Sequence, residues 1–168
     1  MEFATQPLGP QHEGGAFNCG VPSLDRYLKE QASQDIRRDV ARCYVRCMES
    51  SPEIAGYYTL SAASIDLQSL PEARARRLPR YPALPAALIG RLAVHAGLQR
   101  QRLGELLLTD ALHRCLEVER EIAIMVVVVD AESDSAVRFY EHFEFTRLAD
   151  LPMRLFLPMS KVRSMFRG

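Results

Sequence analysis

Residues 88–107 read LIGRLAVHAGLQRQRLGELL, and they decide the fold. Leu88–His95 has the aliphatic and β-branched composition of a central strand. The chain then turns through an arginine-containing stretch and enters a helix near Leu103. In that helix Leu103, Leu106, Leu107, Ala111, Cys115 and Leu116 recur at helical spacing and predict one apolar stripe through Arg120. A strand, a turn and a helix in this order point successive backbone N–H groups and a helix N-terminus at the turn, an arrangement that can hold a pyrophosphate. Gly104 permits close backbone approach, and Arg100 and Arg102 add positive charge. Any strand-turn-helix unit shares this property, so by itself the turn names no ligand.

On the C-terminal side, Ile122–Val129 (IAIMVVVV) reads as a strand covered on both faces. Asp134–Phe143 is a short amphipathic helix with Asp134 as its candidate cap. Phe145–Leu148 and Met153–Met159 read as terminal strands. On the N-terminal side, residues 2–8 form a short strand broken by Gly9 and Pro10, and Ser23 caps a helix through Leu24, Tyr27, Leu28 and Ala32. Ala41–Met48 and Ile54–Leu60, joined across Ser50–Pro52, predict a hairpin. Residues 66–90 hold Pro71, Pro79, Pro82 and Pro85, which prevent one long helix. The order predicts a single α/β domain over 1–168: one mixed sheet flanked by helices, without repeats or a linker.

Composition narrows the function classes. Of 168 residues, 48% are hydrophobic and 25% charged, which excludes a disordered or fibrous chain. Lys+Arg and Asp+Glu are both 21, so a chain dependent on overall positive charge is excluded too. That balance hides a division. Residues 72–102 carry Arg74, Arg76, Arg77, Arg80, Arg91, Arg100 and Arg102 against the single acid Glu72, whereas residues 105–150 carry eleven acids against four arginines. Such a cluster draws a polyanion with salt-dependent affinity, or forms a solvated helix face. The cysteines (Cys19, Cys43, Cys47, Cys115) lack paired zinc spacing and are read as reduced core or near-core thiols, with no metal. The N-terminus lacks the order of an export signal, and the longest strongly apolar run, Ile122–Val129, is too short to span a bilayer. A cytoplasmic location without membrane contact is expected.

Gln99–Gly104 (QRQRLG) resembles the coenzyme motif Gln/Arg-x-x-Gly-x-Gly/Ala of the GCN5-related N-acetyltransferases (GNAT). Gln99 and Gly104 match its ends. Arg102 stands where the middle glycine is usual, and Arg100 where another often follows the Gln. FNCGVPSLDRYL (Phe17–Leu28), GYYTLSAASI (Gly56–Ile65), RYPALPAALIGRLAVH (Arg80–His95), VVDAESDSAVRFYEHFEF (Val128–Phe145) and LPMRLFLPM (Leu151–Met159) resemble, in order, one branch of that superfamily, which contains toxins of bacterial toxin–antitoxin pairs.

The resemblance implies the GNAT fold, with acetyl-CoA in a cleft splayed between the Leu88–His95 and Ile122–Val129 strands. Leu92, Ala93 and Val94 would meet the pantetheine arm; Gln99, Arg100, Arg102, Leu103 and Gly104 the pyrophosphate; Phe139 would form a coenzyme wall. Tyr140 matches the family's thiol-protonating tyrosine, and Glu144 replaces the glycine of the usual GF ending. Cys19, His95, His113 and His142 are base candidates by chemistry alone, none with a partner at diagnostic spacing. The implied activity is acetylation of the α-amino group of aminoacyl-tRNA, blocking translation, with Arg74, Arg76, Arg77, Arg80 and Arg91 on the substrate. Implied partners are a ribbon-helix-helix antitoxin, operator DNA through the antitoxin complex, and a second copy in a homodimer. Two alternatives stay open: acetylation of a small amine or protein terminus, and a non-catalytic binding protein whose cofactor loop is closed by Arg102.

Overall fold

The computed structural model describes residues 3–78, 80–99 and 101–167. Seven strands form one open mixed sheet in the order β1-β2-β3-β4-β5-β7-β6. They are β1 (Gln6–Pro7), β2 (Arg42–Cys47), β3 (Ile54–Asp66), β4 (Ala83–Val94), β5 (Val126–Asp130), β6 (Thr146–Arg147) and β7 (Arg154–Pro158). The helices are α1 (Pro22–Arg26), α2 (Ala32–Arg37), α3 (Glu72–Ala75), α4 (Leu103–Glu119), α5 (Asp134–His142) and α6 (Met159–Met165). The expected mixed α/β sheet with flanking helices is present. Two compact units make up the chain: Met1–Ser61 with Gly90–Ala111, and Ala62–Ile89 with Leu112–Gly168.

In the first unit β2 pairs antiparallel with β1 and with β3, from Arg42↔Leu60 to Cys47↔Ile54, with a bulge at Arg46/Cys47. The first strand is shorter than residues 2–8. The predicted helix at Ser23 continues to Arg37, because a π-helical turn, Tyr27–Gln31, joins α1 to α2. Ser23 does not cap it: Val21 is the N-cap and Pro22 takes the first position, where a missing N–H costs nothing. Leu24, Tyr27, Leu28 and Ala32 bury against Cys43, Val45, Ile54 and Tyr57. Gly56 of β3 answers to α4, since a Cβ there would lie 2.8 Å from Leu107 Cδ1 and 3.1 Å from the Ala93 carbonyl oxygen. Leu107, Leu108 and Ala111 are fully buried, but Leu106 is 37% exposed, so the stripe is rotated from the predicted one.

Asp110 lies on that buried face. Its carboxylate accepts the Ala4 N–H at 2.6 Å, the Thr5 hydroxyl at 2.5 Å and the Tyr58 hydroxyl at 2.6 Å. A buried acid is tolerated when its lone pairs are this fully engaged, and the bonds tie the N-terminal segment and β3 to α4.

In the second unit β4 and β5 run parallel from Ala86↔Val126 to Ile89↔Val129, and β7 pairs antiparallel with β5 and β6. Parallel neighbours need a crossover, which α4 supplies. All four valines of β5 are buried. Ile65, Leu70, Leu84, Ala86, Val126, Val128, Leu148 and Phe156 form the core here. Several expected boundaries move. β4 starts at Ala83 rather than Leu88, β3 runs to Asp66, and among the described residues of 67–82 only a 3-10 turn and the four-residue α3 are found. β5 starts at Val126, with Ile122 68% exposed. Ser133, not Asp134, caps α5, accepting the Ala136 N–H at 3.1 Å.

Candidate active site

β4 carries the chain into the turn the sequence singled out. Ala93 and Val94 are buried and Leu92 half-buried. The His95 N–H donates to the Ala55 carbonyl at 2.8 Å, and a 3-10 turn, Ala96–Leu98, follows. Gln99 Nε2 donates to the Cys19 carbonyl at 2.9 Å and to the Val94 carbonyl at 3.2 Å. Its side chain therefore staples the turn to the strand end and to the N-terminal loop. Arg100 lies outside the described residues.

Arg102 has φ +58°, the left-handed region that favours glycine, and its side chain is exposed. Its carbonyl accepts the Leu106 N–H at 3.1 Å, so α4 starts from it; Leu103 and Gly104 are half-buried in the first turn. The position keeps the backbone a glycine would have, at a steric cost of roughly 1–2 kcal/mol. The turn is thus not re-routed by its arginine. Arg102→Gly is expected to leave affinity for the coenzyme that the resemblance implies, acetyl-CoA, within about threefold and thermal stability unchanged or raised by up to about 1 kcal/mol, since relief of strain is offset by glycine's greater freedom when unfolded. Calorimetric titration and thermal denaturation of both proteins check this.

The second departure behaves alike. Glu144 has φ +72°. Its N–H donates to the Glu141 carbonyl and the Phe145 N–H to the Tyr140 carbonyl, the two bonds that close a helix in a Schellman motif. The accompanying apolar contact is Tyr140 against Phe145, ring centroids 5.6 Å apart. So YEHFEF sets the ring of Tyr140 through the end of α5 itself. Phe139, half-buried, packs edge-on against Tyr140 at 5.3 Å and Phe143 at 5.2 Å. Tyr140 is 3% exposed. Burial first, then the Asp130 and Glu132 charges, hold its phenol well above the ordinary range. Asp130 is itself held by a two-pronged bond from Arg154, Nε to Oδ1 at 2.7 Å and Nη2 to Oδ2 at 3.1 Å.

The candidate bases fare poorly. Burial, with the Asp25 hydrogen bond and charge, pushes the Cys19 thiol up to about 11, and it donates to the Val21 carbonyl. His95 Nδ1 accepts the Asn18 N–H at 3.2 Å, which puts the neutral ring's proton on Nε2 and leaves no free lone pair. His113 stacks on Phe166 with Glu117 3.9 Å away, and His142 is exposed in the last turn of α5. All four cysteines are free; Cys47 is half-buried rather than buried. Among the described residues no three metal-ligating side chains cluster.

The arginines divide. Arg91 lays its guanidinium 3.6 Å from the centroid of the Tyr27 ring, whose hydroxyl donates to Asp35 at 2.8 Å. Arg74 stacks over Phe156 at 5.8 Å, and Arg76 pairs with Glu72 at 2.6 Å. Arg77 and Arg80 are exposed, with no carboxylate within 4.0 Å among the described residues. The sequence reading missed the fixing roles of Asp110, of Arg91 on Tyr27 and of Arg154 on Asp130. Only Asp110 carried a signal, as an acid inside the apolar stripe of α4.

The model of the acetyltransferase (GNAT) domain matches residues 26–161. "Probable toxin TacT" of Sinorhizobium fredii is 30% identical over 168 residues, 95% of this chain and 93% of that protein. "tRNA-acetylating toxin" of Mycobacterium tuberculosis is 33% identical over 150 residues, 89% of this chain and 88% of that one. Among solved structures, AtaT complexed with acetyl-methionyl-tRNAfMet has TM-score 0.88 at 24% identity, covering 98% of this chain and 99% of that one. A mutant AtaT toxin bound to the C-terminus of the antitoxin AtaR and acetyl-CoA has TM-score 0.82 at 22% identity, covering 98% of each chain. The KacTA–DNA complex has TM-score 0.81 at 23% identity, also covering 98% of each. At these identities the structural likeness carries the fold.

Proposed function

This chain belongs to the GNAT acetyltransferase family, and from that premise we propose that it is a tRNA-acetylating toxin, an acetyl-CoA-dependent enzyme that transfers acetyl to the α-amino group of aminoacyl-tRNA and so blocks translation. The observation that carries the reading is Tyr140, a buried phenol set by the backbone closure of α5 and packed between Phe139 and Phe145. Acetyl-CoA supplies an already activated thioester, so the protein must orient an amine and protonate a departing thiolate. The residues fit that need: Gln99 braces the turn, Arg102 keeps its left-handed backbone, and Gln101 and Arg102 are exposed at the start of α4. In this reading Leu92, Ala93 and Val94 hold the pantetheine arm, Gln99, Arg100, Arg102, Leu103 and Gly104 the pyrophosphate, and Phe139 flanks the thioester. Tyr140 Oη–H gives its proton to sulfur. No side-chain base is assigned: the free α-amine of an amino acid esterified to tRNA through its carboxyl has a pKa low enough for much of it to be neutral near pH 7–8, and water takes its proton.

The pH dependence follows. The amine must be neutral and the phenol protonated. The rate is therefore expected to rise with pH as the amine deprotonates, with no descending limb below about pH 10, because Tyr140 is shifted above its ordinary value. A fall between pH 7 and 9, on a substrate checked for ester hydrolysis, would assign the acid elsewhere.

Arg77 and Arg80, exposed and unpaired with carboxylates among the described residues, are the first candidates for the tRNA backbone; Arg74, Arg76 and Arg91 are already engaged. Arg77→Ala with Arg80→Ala is expected to weaken tRNA binding about tenfold at moderate salt and to lower the salt slope by about two, measured by filter binding across a salt series. We place an antitoxin among the partners, of ribbon-helix-helix type, which brings the complex to operator DNA, and a second copy of the chain in a homodimer. The chain works as one domain in the cytoplasm; no helix among the described residues is long and apolar enough to cross a membrane. The deciding experiment is transfer of labelled acetyl from acetyl-CoA to charged tRNA by the purified chain. Absence of acetyl-CoA binding would leave a binding protein with an acetyltransferase fold.

A further inference from the structure

A groove of about 510 Å³ lies in the first unit, between the loop that follows β1 and the α1–α2 segment. Leu8, Leu28, Ile36 and Ile54 make its floor, and Lys29 and Arg37 stand on its rim. Both cations are exposed, and neither has a carboxylate within 4.0 Å among the described residues. No Asp or Glu lines the groove itself, although acids and bases balance in the chain and the exposed Glu13 sits between the lining residues His12 and Gly14. Lys29 is one of only two lysines.

The walls are built in advance. His12 Nδ1 accepts the Gly9 N–H at 2.9 Å, the His12 N–H returns to the Gly9 carbonyl at 3.1 Å, and Glu13 bonds both ways with β3's start, its N–H to Pro52 at 2.8 Å and its carbonyl from Ile54 at 2.9 Å. A preformed groove binds without first ordering a loop.

We propose that this groove docks a peptide segment of a protein partner, one carrying aliphatic side chains flanked by carboxylates. The aliphatic floor takes the apolar side chains, and Lys29 and Arg37 take the acids. Nucleic acid fits less well: single strands bind on aromatic platforms, and no aromatic ring other than His12 lines the groove. The proposal stands apart from the acyl-transfer reading, since none of its residues belongs to that site.

The test is selection of a phage-displayed random octapeptide library on the immobilised full chain, followed by anisotropy titration of the enriched peptides after synthesis. Enriched sequences are expected to pair at least two acids with at least two aliphatic residues. Lys29→Glu with Arg37→Glu is expected to weaken them about tenfold or more. Ser33→Trp, which fills the groove from α2, does the same, while Arg38→Glu, outside the lining, changes affinity less than twofold. Thermal denaturation reports folding of each variant, and acetyl-CoA binding stays unchanged. Enrichment of sequences without acids, no enrichment over bare support, or equal affinity for the charge-reversed protein overturns the proposal. Displacement of the peptides by a single-stranded oligoribonucleotide whose own binding needs Lys29 and Arg37 would reassign the groove to nucleic acid.

Discussion

Tyr140→Phe is expected to slow acetyl transfer to charged tRNA by about 10²–10³-fold, in the range that general acid catalysis supplies. The loss should fall on kcat. A thiolate leaves poorly unless a proton reaches it, and Tyr140 carries a phenol that is protonated across the working pH range. KM for acetyl-CoA should move less than about threefold, because the turn at Gln99–Gly104 and the end of β4 are untouched. Folding should not suffer. The ring is held by Phe139 and Phe145 at 5.3 and 5.6 Å and by the backbone closure of α5, all independent of the hydroxyl. Single-turnover kinetics with labelled acetyl-CoA, beside a thermal melt, measures both. A variant that keeps its rate within fivefold would mean that water protonates the thiolate.

Asp110→Ala should give the largest fall in stability, about 3 kcal/mol, or a melting temperature lower by about 6–12 °C in a domain of this size. Three donors lose their acceptor together: the Ala4 N–H, the Thr5 hydroxyl and the Tyr58 hydroxyl. The three bonds are lost in a buried place, where Thr5 and Asp110 are each 5% exposed. Asp110→Asn should lose less than the alanine variant, since its carbonyl oxygen still accepts. Equal melting of all three proteins would show that water replaces the carboxylate at no cost.

Much of this architecture was legible because hydrophobic spacing is a local signal. The long helix, the hairpin and α5 all stand where apolar period and turn residues put them. What the sequence hid was tertiary. The strand β4 begins at Ala83 despite Pro85, since a proline near a strand's start removes little of its ladder. Ile122–Met125 reads as strand but lies outside β5, because an apolar run carries no mark of where pairing begins. Ser133 and Asp134 are equally good caps on paper, and one residue of register separates them. Arg102 and Glu144 look like broken glycines, yet both keep the left-handed backbone. A substitution there adds strain without changing the path, and spacing cannot tell the two apart. Of the candidate site, residue types were legible, whereas the engagement of Gln99, Arg74, Arg76 and Arg91 with protein groups was not.

The Asp110 bond to Thr5 spans 105 residues of chain, and that separation is also an interval of time. A ribosome adding 5–20 residues per second needs on the order of 5–20 s to deliver α4 after Thr5 has been made. Until then the bonds from Ala4 and Thr5 to Asp110 cannot form, and the segment is tied to β2 through the Leu8 N–H, which donates to the Cys43 carbonyl. The nascent chain therefore completes this corner late, when roughly two-thirds of it has been synthesised. An Asp110 variant and the wild-type chain should therefore behave alike up to that point of synthesis and part only after α4 has been made.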